Sequence, residues 1–184
     1  MTSNPPIYPE YCHELSPTLN LWCRLRATDI HALVSRGMFS NGRPLYHYGN
    51  HPIKWVRVTG VIVAVDEFYG RRVYTLDDSS GMCIECTCPV PVPAKATVTK
   101  PSAAKGLPPT VTKAEGPTVT NPNIPWDNVD VGTVVKIKGG IKEFREQRQV
   151  EIIKVEVLGG TALEVKCWDE ALVFRREVLG VPWV

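Results

Sequence analysis

Residues 53–66, IKWVRVTGVIVAVD, form a long β-branched run with Gly60 in its middle, where the missing Cβ lets a strand bend sharply. Phe68-Tyr69-Gly70 supplies a turn, and residues 71–76 a second strand. Asp77-Asp78-Ser79-Ser80-Gly81 is a dense turn signal, because short carboxylates bond backbone amides two residues on. A third strand spans 82–88. Residues 132–141 alternate: Val135, Ile137, Gly139 and Ile141 share one face, Lys136 and Lys138 the other. A polar loop at 142–148 leads to a fifth strand at 149–158. Five strands, with a long insertion after the third, predict an all-β barrel of the OB type, with flanking helices.

The last periodic segment reads as a helix over 161–180 that closes the barrel. Thr161 and Glu164 have the spacing of a capping box, and Gly180 with Pro182 ends the helix. At 100° per residue its apolar positions fall into two stripes. Val165, Trp168, Leu172 and Leu179, with Arg175 among them, make one. Cys167, Ala171, Phe174 and Val178 make the other. One stripe suffices to cover a barrel, so the first, Arg175 included, is the candidate surface for a protein partner. Residues 1–51 form an N-terminal extension, of which 15–33 is expected to pack on the outside of the barrel.

Between the third and fourth strands, residues 89–125 hold nine of the sixteen prolines, four lysines, one acidic residue and no aromatic. Such a segment buries too little apolar surface to offset its ordering entropy, and is expected to be a disordered insertion. All 184 residues therefore constitute one domain. The net charge of +2 is far from the strongly basic balance of many nucleic-acid binders, so any electrostatic footprint must be local. No apolar run reaches the roughly 18 residues of a membrane span, and residues 1–12 lack a signal peptide's basic and apolar regions. A cytosolic or nuclear chain with reduced cysteines and no membrane association is the expectation.

Cys83, Cys86 and Cys88 have a spacing that suggests zinc, but strand alternation turns Cys83 away from the other two, and tetrahedral zinc needs four ligands. Neither a metal nor a cofactor is expected. Asp77 and Asp78 are adjacent turn residues rather than a convergent acid–base pair, and no phosphate loop or triad signature occurs, so no enzymatic activity is expected. The nucleic-acid candidates are Lys136, Lys138, Phe144, Arg145 and Arg148, on the outer face of the fourth strand and in the loop to the fifth, where cations and a ring lie together. Trp55 and Arg57, on one face of the first strand, form a second pair.

The run from Asn50 to Cys88, NHPIKWVRVTGVIVAVDEFYGRRVYTLDDSSGMCIECTC, resembles the first three OB strands of the Stn-type subunit of the CST telomere-capping complex. That subunit is similar to the middle subunit of replication protein A. GTVVKIKGGIKEFREQRQVEI resembles the fourth strand, loop and fifth strand of that family, CWDEALVFRREVLGVPW its closing helix, and SPTLNLWCRLRATDIHAL, more loosely, its pre-barrel segment. The resemblance implies a nuclear, telomeric protein that pairs with a small Ten-type OB subunit through closing helices. It also implies binding to single-stranded telomeric DNA, a larger CST subunit, and work with DNA polymerase alpha–primase. Longer members of that family carry C-terminal winged-helix domains, which residues 1–184 are not expected to include. Relatives often end the third strand in an aromatic that faces nucleic acid, where this chain has Cys88. Two other readings stay open: a general single-strand binder like the replication protein A middle subunit, and an OB scaffold with little DNA contact.

Overall fold

A computed structural model describes residues 5–39, 42–68, 70–90 and 122–184. Tyr69 and most of the predicted insertion, residues 91–121, lie outside the described residues. The barrel strands are β5 (Trp55–Phe68), β6 (Arg71–Asp77), β7 (Cys83–Pro89), β8 (Val134–Phe144) and β9 (Gln147–Val157). They follow the ring order β5-β6-β7-β9-β8, and β8 returns to pair with β5. Inward-facing Val56, Val58, Ile62, Tyr74, Leu76, Ile84, Val135, Ile137, Val150 and Ile152 fill the ring. Gly60 has the role its position predicts: a Cβ there would lie 2.2 Å from the Asp77 carbonyl oxygen, so only glycine lets β5 fold this closely over β6.

The turn at 77–81 is built from Asx bonds, Ser79 N donating to Asp77 Oδ1 at 2.8 Å and Ser80 N to Asp78 Oδ1 at 3.0 Å. Asp78 also accepts the Ala27 amide at 2.7 Å, which ties this turn to the N-terminal segment. That segment does more than lie outside. It forms β1 (Trp22–Arg24), parallel to the start of β5, and α1 (Ala27–Ala32). Cys23, Leu25, Ala27 and Ile30 are buried in the core, because a five-stranded barrel this short leaves one end open for them to fill. A three-stranded antiparallel sheet follows, made of β2 (Val34–Met38), β3 (Pro44–Tyr48) and β4 (His51–Ile53).

Three other boundaries differ from expectation. Both ends of 89–125 are ordered: Pro89 pairs with Arg71, Asn123 bridges to Lys154, and Ile124 is buried in the core. The 142–148 loop is mostly strand, with a two-residue turn at Arg145-Glu146. The closing helix, α2 (Thr161–Phe174), starts from Gly160 rather than Thr161, with no side-chain cap, so the Thr161–Glu164 capping box does not form. After Phe174 the chain continues as a π turn over Arg175–Leu179. The C-terminus then locks onto the β3–β4 hairpin: Trp183 Nε1 donates to the Asn50 carbonyl at 2.6 Å, and its ring lies 4.5 Å from Tyr8.

Candidate nucleic-acid and partner interfaces

Outward-facing residues at one end of the barrel enclose a cleft of about 870 Å³. Its floor is Val73, Thr87 and Gln149. Its sides are Phe68 and Arg71 at the β5–β6 turn, and Lys142, Phe144 and Arg145 at the β8–β9 turn. The strand pairs Phe68↔Arg71 and Phe144↔Gln147 fix these positions, so both loops that OB folds use for ligands meet here. Phe68 is 64% exposed and Phe144 56% exposed, a costly arrangement for two phenylalanines unless something covers them. Arg145 and Glu146 adopt φ of 50° and 66°. A two-residue hairpin turn of this shape favours Asn-Gly, so two side chains here cost conformational energy, as at many functional loops. Thr87 Oγ1 is buried with no hydrogen-bond partner among the described residues. The lining carries three cations (Arg71, Lys142, Arg145) and three carboxylates (Asp66, Glu85, Glu143), and Glu85 accepts a bond from Gln149.

Of the predicted nucleic-acid residues, the structure brings Phe144 and Arg145 into this cleft, with the Arg145 guanidinium 5.2 Å from the Phe144 ring. Arg148 is not available for that role. It donates to the Ile30 carbonyl at 2.8 Å and to His31, and stacks 5.1 Å from the Tyr46 ring, fastening α1 to the barrel. Phe68, Arg71 and Lys142 were missed. The signal for Phe68 and Arg71 was their place on either side of a predicted turn, and for Lys142 its two-residue spacing from Phe144 on β8.

Lys136, Lys138, Trp55 and Arg57 lie on a different part of the outer surface, where β1, β5, β8 and β9 run side by side. Lys136 is paired with Glu156 at 2.9 Å. Arg57 is largely covered and holds Glu170 of α2 at 2.7 Å, which keeps that carboxyl below its usual range. Trp55 lies 5.5 Å from Trp22, with Lys54 at 5.2 Å and Arg43 at 5.8 Å from its ring. Burial, then the neighbouring charges of Lys154, Lys136 and Arg57, lowers the pKa of Lys138.

On α2, Cys167 and Phe174 are buried against the barrel. Val165 is 42% and Leu172 53% exposed, and Trp168 is half-buried beside them, with an indole nitrogen that has no partner among the described residues. Leu179 corrects the stripe. It is buried in the core, because the i→i+5 bonding of the π turn advances each residue by less than 100° and swings Leu179 towards the Phe174 side. Arg175 reaches back to Asp29 of α1 at 2.7 Å, so its partner is within this chain.

The cysteines divide as strand alternation requires: Cys83 is exposed, while Cys86 and Cys88 are buried. Burial pushes the Cys88 thiol up to about 11 and that of Cys86 up as well. Cys88 faces the core, so at this end of β7 it is Thr87 that meets the cleft. Among the described residues no helix is long and apolar enough to cross a membrane.

A family model described as telomere regulation protein Stn1 matches residues 35–97, from β2 into the segment after β7. The CST complex subunit STN1 of Macaca fascicularis is 32% identical over 107 residues, covering 58% of this chain and 28% of the relative's length. The chain therefore spans less than a third of that relative. The crystal structure of the S. pombe Stn1-ten1 complex superposes with a TM-score of 0.60 at 19% identity, covering 88% of this chain and 96% of that one. A replication protein A heterotrimer bound to ssDNA gives 0.56 at 10% identity, covering 89% and 98%. The two superpositions share the barrel and its flanking elements and establish the fold. Joined to the family match and the sequence relative, they make this chain an OB-fold protein similar to the Stn1 family.

Proposed function

We propose that the chain is a DNA-binding, partner-docking subunit of a telomere-capping assembly. Its cleft takes single-stranded telomeric DNA. Its α2 docks a small OB-fold partner of the Ten type, in a nuclear complex with a larger CST subunit that works beside DNA polymerase alpha–primase in end protection and replication. It is a binding module rather than an enzyme. The observation that carries this reading is the pair of exposed apolar residues Val165 and Leu172, with half-buried Trp168 between them, on the very helix that closes the barrel, while the cleft stays open. Exposed apolar side chains in register on one helix mark a docking surface. The telomere-regulation family match supports the setting, and the S. pombe relative, solved with ten1, supports the type of partner.

The test is co-expression with a Ten-type OB protein. Val165→Glu with Leu172→Glu should abolish co-purification while the circular dichroism of the barrel is unchanged, since both side chains are open to solvent. Undiminished recovery of the pair would refute the docking face. A second reading, a general single-strand binder, is favoured by the likeness to the replication protein A heterotrimer. Equal affinity for telomeric and scrambled oligonucleotides would select it. No affinity for either would leave a protein scaffold, a reading that the balanced charge of the cleft keeps in view.

A further inference from the structure

The cleft offers exposed rings without net positive charge, yet a bound single strand brings one phosphate per nucleotide. Binding needs cations along the backbone as well as faces for the bases. Two cations without an ion pair among the described residues lie farther along the barrel, Lys138 on β8 and Lys154 beside it on β9. Outer-face positions along β8 run Phe144, Lys142, Gly140, Lys138. Steps of two residues are roughly 6.7 Å each, so the series spans about 20 Å. Gly140 has no side chain, and Trp55 occupies its place, with ring carbons 3.3 and 3.6 Å from where a Cβ would sit. Ring, cation, ring and cation therefore alternate along one edge of the barrel. At its far end the Lys138 ammonium lies 5.8 Å from the ring of Trp22, which is paired with Trp55.

Across the strands at that end stand Arg24↔Arg57↔Lys138↔Lys154, three successive like-charge pairs in direct register. Like charges directly opposite weaken a sheet. Glu170 relieves Arg24 at 3.5 Å and Arg57 at 2.7 Å. Among the described residues no carboxylate lies within ion-pair distance of Lys138 or Lys154. A local rule broken three times in a row, with a carboxylate only at the Arg24–Arg57 end, marks a place where something outside the chain supplies the charge.

We propose that a DNA strand held in the cleft continues over Phe144 and along the outer face of β8 to this cation row, with bases on Trp55 and Trp22 and phosphates on Lys142, Lys138 and Lys154. The proposal rests on the reading of the cleft as a single-strand site and extends it. An acidic protein segment would satisfy the lysines but has no use for rings set between them, so the alternation favours nucleic acid.

Oligothymidylates of two lengths separate the extension from the cleft: about six nucleotides to fill the cleft alone, and about eighteen to run beyond it, the first near the lower end and the second above the upper end of OB-fold site sizes. Lys138→Glu with Lys154→Glu should weaken the long oligonucleotide at least tenfold in fluorescence anisotropy at low salt, and leave the short one within twofold. The long oligonucleotide's log–log salt slope should fall by about 1.4, at about 0.7 per phosphate released. Lys166→Glu with Arg176→Glu, the same charge change on the outer side of α2, should leave both lengths within twofold. An unchanged affinity and slope for the long oligonucleotide in the Lys138/Lys154 variant overturns the extension. So does equal weakening by the Lys166/Arg176 control, or loss of binding to an oligoglutamate peptide rather than to DNA in the Lys138/Lys154 variant. If the unsubstituted chain binds neither length, the cleft reading fails as well.

Discussion

Phe68→Ala and Phe144→Ala test the cleft most directly, because the same substitution has two separable consequences. Phe68 is 64% and Phe144 56% exposed, so each has less than half of its surface buried in the folded chain. Fully burying a phenylalanine is worth about 1.5–3 kcal/mol, which puts the stability loss near 1 kcal/mol apiece. A folded barrel survives that. Stacking a base on an aromatic side chain is worth about 1–3 kcal/mol, or roughly five- to 150-fold in affinity. Each substitution should therefore weaken a short oligothymidylate by at least fivefold while urea denaturation shows a loss near 1 kcal/mol. The two changes should combine to less than the product of the singles if both rings clasp one base, and to the full product if each holds its own. Anisotropy titrations of both singles and the double, made with the Ten-type partner bound, read this out. Wild-type affinity in both singles would refute a stacking cleft, since among the described residues no other ring is on its lining.

Two further outcomes follow from the interior. His47 is almost fully buried, and burial, then the neighbouring His13 and Arg36, lowers its pKa to about 4. The unfolded chain takes up this proton near pH 6.5 and the folded chain does not. The associated stability is thus complete above pH 6.5 and drains as pH falls from 6.5 towards 4, by up to roughly 3 kcal/mol at 1.36 kcal/mol per unit. His47→Phe should flatten the acid limb of Tm against pH, leaving the smaller slope from His51, which burial also lowers; an unchanged limb would refute it. Gly60→Ala would drive a methyl into the backbone of Asp77 and Asp78, with atoms at 2.2, 2.8 and 2.9 Å, and should cost roughly 1–3 kcal/mol or more; a wild-type urea midpoint would show that β5 can bend without the glycine.

The barrel was legible because its strands alternate and its turns use ordinary chemistry. Val135, Ile137 and Ile141 point inward as their spacing requires, and the Asp77–Gly81 turn closes on the Asx bonds its composition announces. What was illegible came from contacts between distant segments. Cys23 and Ile30 look like ordinary residues of a mixed segment, and only the open end of a short barrel makes them core. Ile124 sits among prolines, yet the β9 edge at Lys154 captures its neighbour Asn123 and buries it. The Arg145-Glu146 turn carries no glycine or asparagine, so the hairpin read as a loop and both strands were drawn too short. The π turn is invisible to any fixed helical period, and it alone moved Leu179 from the partner stripe to the core.

The candidate site was half legible for a single geometric reason. A strand's outer face is one list in sequence, but β8 curls around a closed barrel, so that list passes through two environments. Lys142 and Phe144 meet the cleft, while Lys136 and Lys138 lie beside β5, with Lys138 near Trp22 of β1. Grouping Lys138 with Phe144 by strand face was correct, but placing them at one locus was not. The residues that complete each environment come from other strands at matched register: Phe68 and Arg71 at the cleft, Trp22 and Lys154 at the far end. No spacing rule pairs positions so far apart along the chain. Yet the like-charge ladder Arg24, Arg57, Lys138 and Lys154 exists only because four separate segments each place a cation on one row. A stable sheet would mix those charges, so their agreement is stronger evidence of a bound polyanion than the net charge of the whole chain, which four carboxylates elsewhere would conceal.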